Sequence, residues 1–328
     1  MKILVTPTSF KPGKGVPALE LLRSFSEDLV FNPHERPLSE DELIPLLSGC
    51  EGFIAGLDFV TRAVIENAPK LKVISRYGVG VDRVDIKAAR EKGVVVCNTP
   101  GVNSNAVADL TFALLLCIAR KVPLLDRKTK SGEWPRSTGF ELHGKTYGIL
   151  GLGAVGRAVA RRARGFSMKI IAHDPQINRE YAAANGIIAA SFNEVITQAD
   201  FLSLHVPLTD ETRNIISGEV MKAMKPGVVI INTARGGLID ENAAYELLRA
   251  GHLGGLGMDA FETEPPGSSP LFTLDSVVVT PHTGAHTAEA TAAMADLSVK
   301  NLMDVLSGRS CPHVVNCSAL NYLFSAPA

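Results

Sequence analysis

The stretch that decides the fold reads Gly148-Ile149-Leu150-Gly151-Leu152-Gly153-Ala154-Val155-Gly156. Its G-x-G-x-x-G pattern leaves a predicted strand over 146–150 and enters a predicted helix over 158–163. Because glycines carry no side chain, the amides at the start of that helix can approach a pyrophosphate, whose negative charge the helix dipole favours. The pattern therefore predicts that the glycine loop binds a dinucleotide.

An acid follows at the position that such a fold requires. Asp174 lies 18 residues after Gly156, at the tip of a second predicted strand over 169–172. A carboxylate there can accept hydrogen bonds from the adenosine ribose. It would also repel a 2′-phosphate, and the nearest arginine, Arg179, lies beyond Pro175. NAD is therefore the predicted cofactor, rather than NADP.

Composition limits the other classes of function. The 328 residues are enough for about two domains, and 46% hydrophobic with 20% charged residues is typical of a soluble globular protein. A net charge of −1 implies no basic face, so no nucleic-acid partner is predicted. The longest apolar run, 112–119, is too short to span a bilayer, and the first residues lack the features of a signal peptide, so no membrane partner is predicted.

The cysteines predict a protein of a reducing compartment, and the histidines predict no metal site. An odd number of scattered cysteines predicts buried reduced thiols and a cytoplasmic protein; they are Cys50, Cys97, Cys117, Cys311 and Cys317. His282 and His286 are four residues apart, but no suitably placed acid or cysteine completes a zinc site, so no metal is predicted.

Apolar segments alternate with helical patterns along nearly the whole chain, which predicts an α/β protein with two doubly wound parallel sheets. Five strands are expected in the first sheet, over 2–6, 29–31, 52–55, 73–75 and 94–97. Six are expected in the second, over 145–150, 169–172, 201–204, 228–232, 255–258 and 277–280. Two long helices, 105–120 and 288–306, would connect the halves, with a cleft between the domains as the ligand site.

This layout makes the substrate domain discontinuous. Residues 1–100 and 288–328 would form it, and a dinucleotide-binding Rossmann domain over 101–287 would be inserted between those segments. The tail at 318–328 is expected to be frayed.

Three motifs that follow predicted strands could supply the chemistry of hydride transfer to a 2-keto acid. Such a site needs a cation for the carboxylate, an acid/base for the hydroxyl proton and a group that orients the acid/base. Arg235, Glu264 and His282 offer these parts, since carboxyl ends of parallel strands share one edge. Each has an alternative. Arg235 could pair with Asp240 or Glu241, Glu264 could be a solvated loop acid, and backbone could satisfy the ring of His282.

The motifs GLGAVG, HDP, HVPLTDET, NTARGGLID, DAFETEPP and TPHTGA together resemble the D-isomer-specific 2-hydroxyacid dehydrogenase family over nearly the whole chain. RYGVGVD at 76–82 and NTPG at 98–101 are most similar to phosphoglycerate dehydrogenases. The resemblance implies a Rossmann cofactor domain inserted in a split, flavodoxin-like substrate domain. It also implies a homodimer, and a short form, since the sequence ends before the regulatory domain of longer relatives.

The resemblance also assigns roles to residues. It implies that Arg235 binds the substrate carboxylate and carbonyl, that His282 is the acid/base and that Glu264 pairs with His282. Backbone amides of Gly78, Val79 and Gly80 would bind substrate. The predicted cofactor contacts are Gly151, Gly153, Ala154, Val155, Gly156, Asp174, His205, Val206, Pro207, Thr212, Thr233, Ala234, Asp259 and Gly284.

One departure leaves the substrate open. Where phosphoglycerate dehydrogenases usually carry an Arg-Ser pair, this chain has Gly56-Leu57-Asp58, which suits a phosphate dianion poorly. Arg76 and Arg136 could compensate and are predicted substrate ligands, or could be surface charge. The predicted substrate is 3-phosphoglycerate, with hydroxypyruvate, glyoxylate or another 2-keto acid as the alternative. A more distant alternative is an NAD-binding corepressor of the same fold; formate dehydrogenases are disfavoured, because they typically carry glutamine at the position of Glu264.

Overall fold

The computed structural model describes residues 1–10, 12–13 and 16–316, so Cys317 and the tail at 318–328 lie outside the described residues. The chain divides into two compact units. The first unit comprises Met1–Asn103 with Thr287–Ala328, and the second comprises Ser104–His286. Among the described residues, no helix is both long enough and apolar enough to cross a membrane.

Twelve strands and twelve α-helices occur among the described residues. The strands are β1 (Lys2–Val5), β2 (Asp28–Phe31), β3 (Cys50–Ala55), β4 (Val73–Arg76), β5 (Val95–Cys97), β6 (Thr146–Leu150), β7 (Lys169–His173), β8 (Ile187–Ala189), β9 (Phe201–Leu204), β10 (Val228–Asn232), β11 (Leu253–Met258) and β12 (Val277–Val279). The helices are α1 (Ala18–Phe25), α2 (Glu40–Leu47), α3 (Arg62–Glu66), α4 (Ile86–Glu91), α5 (Ser104–Ala119), α6 (Val122–Lys130), α7 (Ala154–Gly165), α8 (Arg179–Ala184), α9 (Phe192–Gln198), α10 (Gly218–Ala223), α11 (Glu241–Arg249) and α12 (Ala288–Leu306).

The first unit contains a five-stranded parallel sheet in the order β2-β1-β3-β4-β5, which is the flavodoxin-like order. All five predicted strands are present. The predicted helix over 288–306 is also present as α12, and it packs against β3 and β4. The Ser75 hydroxyl donates a hydrogen bond to the carbonyl oxygen of Ser298 at 2.8 Å, so a polar contact also ties α12 to the sheet.

The second unit contains a seven-stranded parallel sheet in the order β12-β11-β10-β9-β6-β7-β8. The prediction of six strands was wrong by one, because β8 has only three residues. Ile187 is buried but Ile188 is 59% exposed, because β8 is the last strand of the sheet and pairs only with β7 among the described strands. The predicted helix after the glycine loop also starts earlier, at Ala154.

Helix α5 is apolar on nearly every side and is buried in the second unit, as predicted. It packs against α7 and against β10 and β11. Its Thr111 hydroxyl lies 2.9 Å from the hydroxyl of Thr233, just after β10. The helix therefore supports the end of the strand on which one of the candidate motifs is built.

The described cysteines form no disulfide bond. Cys50, Cys97 and Cys311 are buried, and Cys117 is partly buried. No cluster of three or more histidine, cysteine or acidic side chains that could hold a metal ion occurs in residues 1–10, 12–13 and 16–316.

Candidate active site

The candidate residues of the second unit follow six different strands at one edge of the sheet. The glycine loop follows β6 and Asp174 follows β7, while His205 comes directly after β9. Arg235, Glu264 and His282 follow β10, β11 and β12. Parallel strands end on the same side, and the strand order reverses between β6 and β9, which is where ligands bind in open α/β sheets.

The glycine loop has the shape of a pyrophosphate cradle. Gly151 has a φ of +93°, and a Cβ there would lie 2.6 Å from the carbonyl oxygen of His205. A Cβ on Gly156 would overlap the carbonyl oxygen of Gly151, whereas a Cβ on Gly153 would meet nothing within 4 Å. Helix α7 starts after Gly153 without a side-chain cap, so its first amides can bind an anion. These residues fit the pyrophosphate of NAD.

Asp174 is anchored directly to this loop. Its Oδ2 accepts a hydrogen bond from the Leu152 amide at 2.8 Å, and its Oδ1 accepts one from the Gln176 amide at 2.8 Å. Each carboxylate oxygen has a second lone pair, which can accept a ribose hydroxyl. Arg157 supports the same loop, because its Nε donates to the Leu152 carbonyl at 3.1 Å and its guanidinium lies over the ring of Tyr181.

The segment after β9 closes the other side of the glycine loop. Burial lowers the pKa of His205 to about 3, so its imidazole is neutral, and its Nε2 lies 2.8 Å from the Ser203 hydroxyl. Thr212 donates to the carbonyl oxygen of Pro207 at 2.7 Å and so fixes the segment that carries Val206. Cofactor contacts by these residues remain predictions.

A buried asparagine shapes the turn that carries Arg235. The Asn232 amide group donates to the Arg235 carbonyl at 2.7 Å and accepts from the Ala234 amide at 3.0 Å. A Cβ on the next residue, Gly236, would overlap the backbone of Phe261, so this turn packs directly against the segment after β11. Sequence reasoning missed Asn232, although a polar residue ending the apolar strand β10 was a usable signal.

Glu264 and His282 form the central pair of the site. The His282 Nδ1 lies 2.9 Å from both carboxylate oxygens of Glu264, and Glu264 also accepts from the Phe261 amide at 3.2 Å. An ionised carboxylate only accepts hydrogen bonds, so Nδ1 donates and Nε2 is left to exchange a proton. The Glu264 side chain is 16% exposed, so its interpretation as a solvated loop acid was wrong.

Asp259 holds the turn on which His282 sits. Its carboxylate accepts the Thr280 hydroxyl at 2.6 Å and the amides of Thr283 and Gly284 at 2.8 Å. His282 has a φ of +52°, a left-handed conformation that costs a non-glycine residue about 1–3 kcal/mol. Asp259 is 2% exposed, and its three hydrogen bonds stabilise this conformation. Contacts of Asp259 and Gly284 with the cofactor remain predictions.

In the first unit, hydrogen bonds donated to its carbonyl oxygens fix the predicted substrate loop, Gly78–Gly80. The Thr99 amide donates to Gly78 at 3.0 Å, and the Asn98 side chain donates to Val79 at 2.8 Å. Arg76 Nε donates to Gly80 at 3.0 Å. In a trans peptide the carbonyl and the following N–H point in opposite directions. With these carbonyls bound to protein, the following amides face the other way and can bind an anion.

Arg76 and Arg136 lie in very different surroundings. Arg76 is 4% exposed, and its Nη1 donates to the Ala55 carbonyl at 2.6 Å. This buried guanidinium therefore connects the substrate loop to the end of β3. Arg136 lies in the exposed segment 131–138. Substrate contacts by either arginine remain predictions. Asn98 and Thr99 were not predicted as site residues, because their hydrogen-bonding partners lie some 20 residues away in the chain.

Comparison with known proteins decides the family. Residues 112–284 match the family model described as D-isomer specific 2-hydroxyacid dehydrogenase, NAD binding domain. The chain belongs to this family. The predicted resemblance and the prediction of NAD as the cofactor are therefore confirmed.

Curated proteins similar to this chain include a phosphoglycerate dehydrogenase and a glyoxylate reductase. A D-3-phosphoglycerate dehydrogenase of Methanocaldococcus jannaschii is 48% identical over 78% of this chain and 50% of its own length. A glyoxylate reductase of Thermococcus litoralis is 44% identical over 80% of this chain and 82% of its own length. The chain thus spans about half the length of the phosphoglycerate dehydrogenases that it matches. A solved protein of Thermus thermophilus, 40% identical, superposes with a TM-score of 0.85 over 96% of this chain and 100% of that chain.

Gly153→Val tests the pyrophosphate cradle. Gly153 has a φ of −74°, which any residue adopts, and its Cβ position is open, so the fold should tolerate valine. The new side chain would occupy the space expected for the pyrophosphate and should raise the Kd for NADH by about tenfold, or ~1.4 kcal/mol. Fluorescence titration measures this Kd. Gly165→Val at the other open end of α7 is the matched control and should keep wild-type affinity. Equal affinities of the two variants would contradict the assignment.

Proposed function

We propose that the protein is an NAD-dependent dehydrogenase that interconverts a D-2-hydroxy acid and its 2-keto acid. The observation that carries this proposal is the contact of the His282 Nδ1 with both Glu264 oxygens at 2.9 Å. It leaves the His282 Nε2 to transfer a proton, at the same edge of the sheet as a glycine loop that fits NAD. Family membership supports the same conclusion.

Each residue of the constellation has one task in this reaction. When bound at the glycine loop, the nicotinamide cofactor would supply the hydride acceptor for oxidation and the hydride donor for reduction. His282 takes the hydroxyl proton during oxidation and donates it during reduction. The negative charge of Glu264 stabilises the imidazolium, and its two oxygens fix the ring. Arg235 binds the substrate carboxylate and polarises the carbonyl, and the amides after Gly78 add hydrogen bonds to the substrate.

Substitution of the central pair tests the mechanism. His282→Asn removes the proton donor and should lower kcat by about 10²- to 10⁴-fold, because general acid–base catalysis contributes that much. Glu264→Gln keeps the shape but removes the charge, so it should cause a smaller loss in kcat. The Kd for NADH should stay near the wild-type value in both. Steady-state NADH oxidation measures the loss, and Glu262→Gln, a 67% exposed neighbour, is the matched control. Turnover that survived in His282→Asn would rule out the proposed acid/base.

Local structure favours an unphosphorylated keto acid over a phosphorylated one. A Cβ on Gly56 would lie 3.1 Å from the Pro7 Cα, so a large side chain is resisted where the family resemblance expects arginine. Asp58 is 1% exposed, and its carboxylate accepts hydrogen bonds from the Leu38 amide and the Thr6 hydroxyl. This acid places negative charge where a phosphate would need a cation. The identity to a phosphoglycerate dehydrogenase keeps 3-phosphoglycerate as the second candidate.

A substrate panel separates these candidates. The protein should oxidise NADH with glyoxylate and hydroxypyruvate, at a kcat/KM at least about tenfold above that with phosphohydroxypyruvate, since pocket contacts discriminate by about 10- to 200-fold. Absorbance of NADH gives each rate. The reverse ranking would establish the phosphorylated substrate, and tight NADH binding without any keto-acid turnover would contradict the enzymatic proposal.

We also propose that the protein is a cytoplasmic homodimer. The free thiols are those expected of a reducing compartment. Helix α6 buries none of its residues, and the segment after it exposes 81% of Trp134. Val122, at the start of α6, is also exposed, at 48%. Exposed large apolar side chains of this kind are typical of a protein–protein contact. We infer that a second copy of the chain covers this surface.

Sedimentation equilibrium tests the dimer. The wild-type protein should have twice the mass of one chain, and Trp134→Glu should shift it toward the monomer because a charge would then lie in an apolar contact. Phe59→Glu changes another exposed aromatic residue, 56% exposed, and should leave the mass unchanged. A monomeric wild type would disprove the dimer.

A further inference from the structure

Two cysteines that are far apart in sequence lie in contact in the first unit. The Sγ atoms of Cys97 and Cys311 are 3.6 Å apart, although 214 residues separate them. Cys97 ends β5, and Cys311 lies in the segment that follows α12. Cys97 is fully buried and Cys311 is 6% exposed. The pair therefore joins the two chain segments from which this unit is built.

We propose that Cys97 and Cys311 form a redox-active dithiol, which oxidises to an intramolecular disulfide and thereby changes the Gly78–Gly80 loop. Formation of the S–S bond requires the two sulfur atoms to approach each other by about 1.5 Å. The consequence for catalysis rests on the proposed function, whereas formation of the disulfide does not.

Of the two cysteines, we expect Cys311 to react with the oxidant first. Cys311 keeps 6% of its surface exposed whereas Cys97 keeps none, so Cys311 is the more accessible residue of the pair. The hydrogen bond from Cys97 lowers the pKa of the Cys311 thiol, against the opposing effect of burial. The thiolate is the nucleophilic form of cysteine, so this neighbour increases the reactivity of Cys311.

A hydroperoxide is the class of oxidant that the geometry admits. The Cys311 thiolate attacks one peroxide oxygen, the O–O bond breaks, and the sulfur becomes a sulfenic acid while the other oxygen leaves as water after protonation. The Cys97 sulfur then attacks the Cys311 sulfur, the S–O bond breaks, and a second water leaves. With hydrogen peroxide, two thiols and one oxidant give one disulfide and two waters, and the sulfurs lose two electrons to the peroxide.

Hydrogen bonds connect this pair to the substrate loop. The two residues after Cys97 hold that loop, since the Asn98 side chain donates to the Val79 carbonyl at 2.8 Å and the Thr99 amide donates to Gly78 at 3.0 Å. On the other side, the Cys311 thiol donates to the Asn301 Oδ1 at 3.4 Å.

Asn301 connects Cys311 to Asn98 through hydrogen bonds. Its side-chain amide donates to the Asn98 carbonyl at 2.8 Å, and Asn301 is 1% exposed. Movement of either sulfur is therefore transmitted to Asn98, and from Asn98 to the carbonyl that orients the next loop amide. We expect oxidation to misplace the amides that bind the keto acid and to leave the glycine loop of the other unit unaffected.

Peptide mass spectrometry tests the disulfide without any measurement of activity. The reduced full-length protein is treated with stoichiometric hydrogen peroxide, alkylated under acid-quenched conditions and digested without reductant. We expect one cross-linked peptide pair containing Cys97 and Cys311, lighter by two hydrogens than the sum of its parts and released by dithiothreitol. Cys50→Ala, a buried cysteine outside the pair, should retain the cross-link, and Cys311→Ala should lose it. Absence of the cross-link in the wild type, or oxidation of Cys311 to the sulfinic acid alone, would overturn the proposal.

Kinetics of the same oxidised sample test the connection to the loop. The KM for the keto acid should rise by about tenfold, since displacement of a binding group by ~1 Å can cost up to ~10²-fold. The Kd for NADH should not change, and dithiothreitol should restore the original KM. A cross-linked enzyme with an unchanged KM would overturn the proposed transmission. Absence of keto-acid turnover in the reduced enzyme would instead count against the proposed function, while the peptide result would still decide the disulfide.

Discussion

Parallel pairing of the seven strands of the second unit is the constraint on which the rest of the structure depends. Because these strands run in one direction, their carboxyl ends meet at one edge, and residues from six distant stretches of sequence are brought together there. The fold by itself brings these residues to one edge but does not orient their side chains. Buried polar side chains then set their orientation, and Asp259 and Asn232 each satisfy several backbone or hydroxyl groups at this edge.

The same division of tasks occurs in the first unit. In its parallel sheet, the loop after β4 lies at the carboxyl ends of the strands. Arg76, Asn98 and Thr99 donate hydrogen bonds to successive carbonyl oxygens of that loop. Burial of a guanidinium costs free energy unless it is hydrogen-bonded, and here the carbonyl oxygens of Gly80 in the loop after β4 and of Ala55 at the end of β3 accept from it. The Arg76 guanidinium thus fixes the backbone of the loop whose amides we propose to bind an anion.

Long apolar strands and the glycine loop could be predicted from the sequence because their signals are local. The presence of Glu264 and His282 at one edge was also predictable, since they follow two adjacent parallel strands, whereas their pairing was implied by the family resemblance. Strand β8 was missed because it has only three residues, too few to show a periodic pattern. The roles of Arg76 and Asn98, and the contact of Cys97 with Cys311, depend on distant partners, which no local pattern encodes.

Gly236 has a consequence for the behaviour of the enzyme in salt. The turn that carries Arg235 is seated against Phe261 by direct backbone contact, at a position where a Cβ would overlap that backbone. Mobile ions screen attraction between exposed charges but do not weaken steric contact. The spacing between the guanidinium-bearing turn and the carboxylate-bearing segment is therefore set independently of ionic strength, even where binding of an anionic substrate is not.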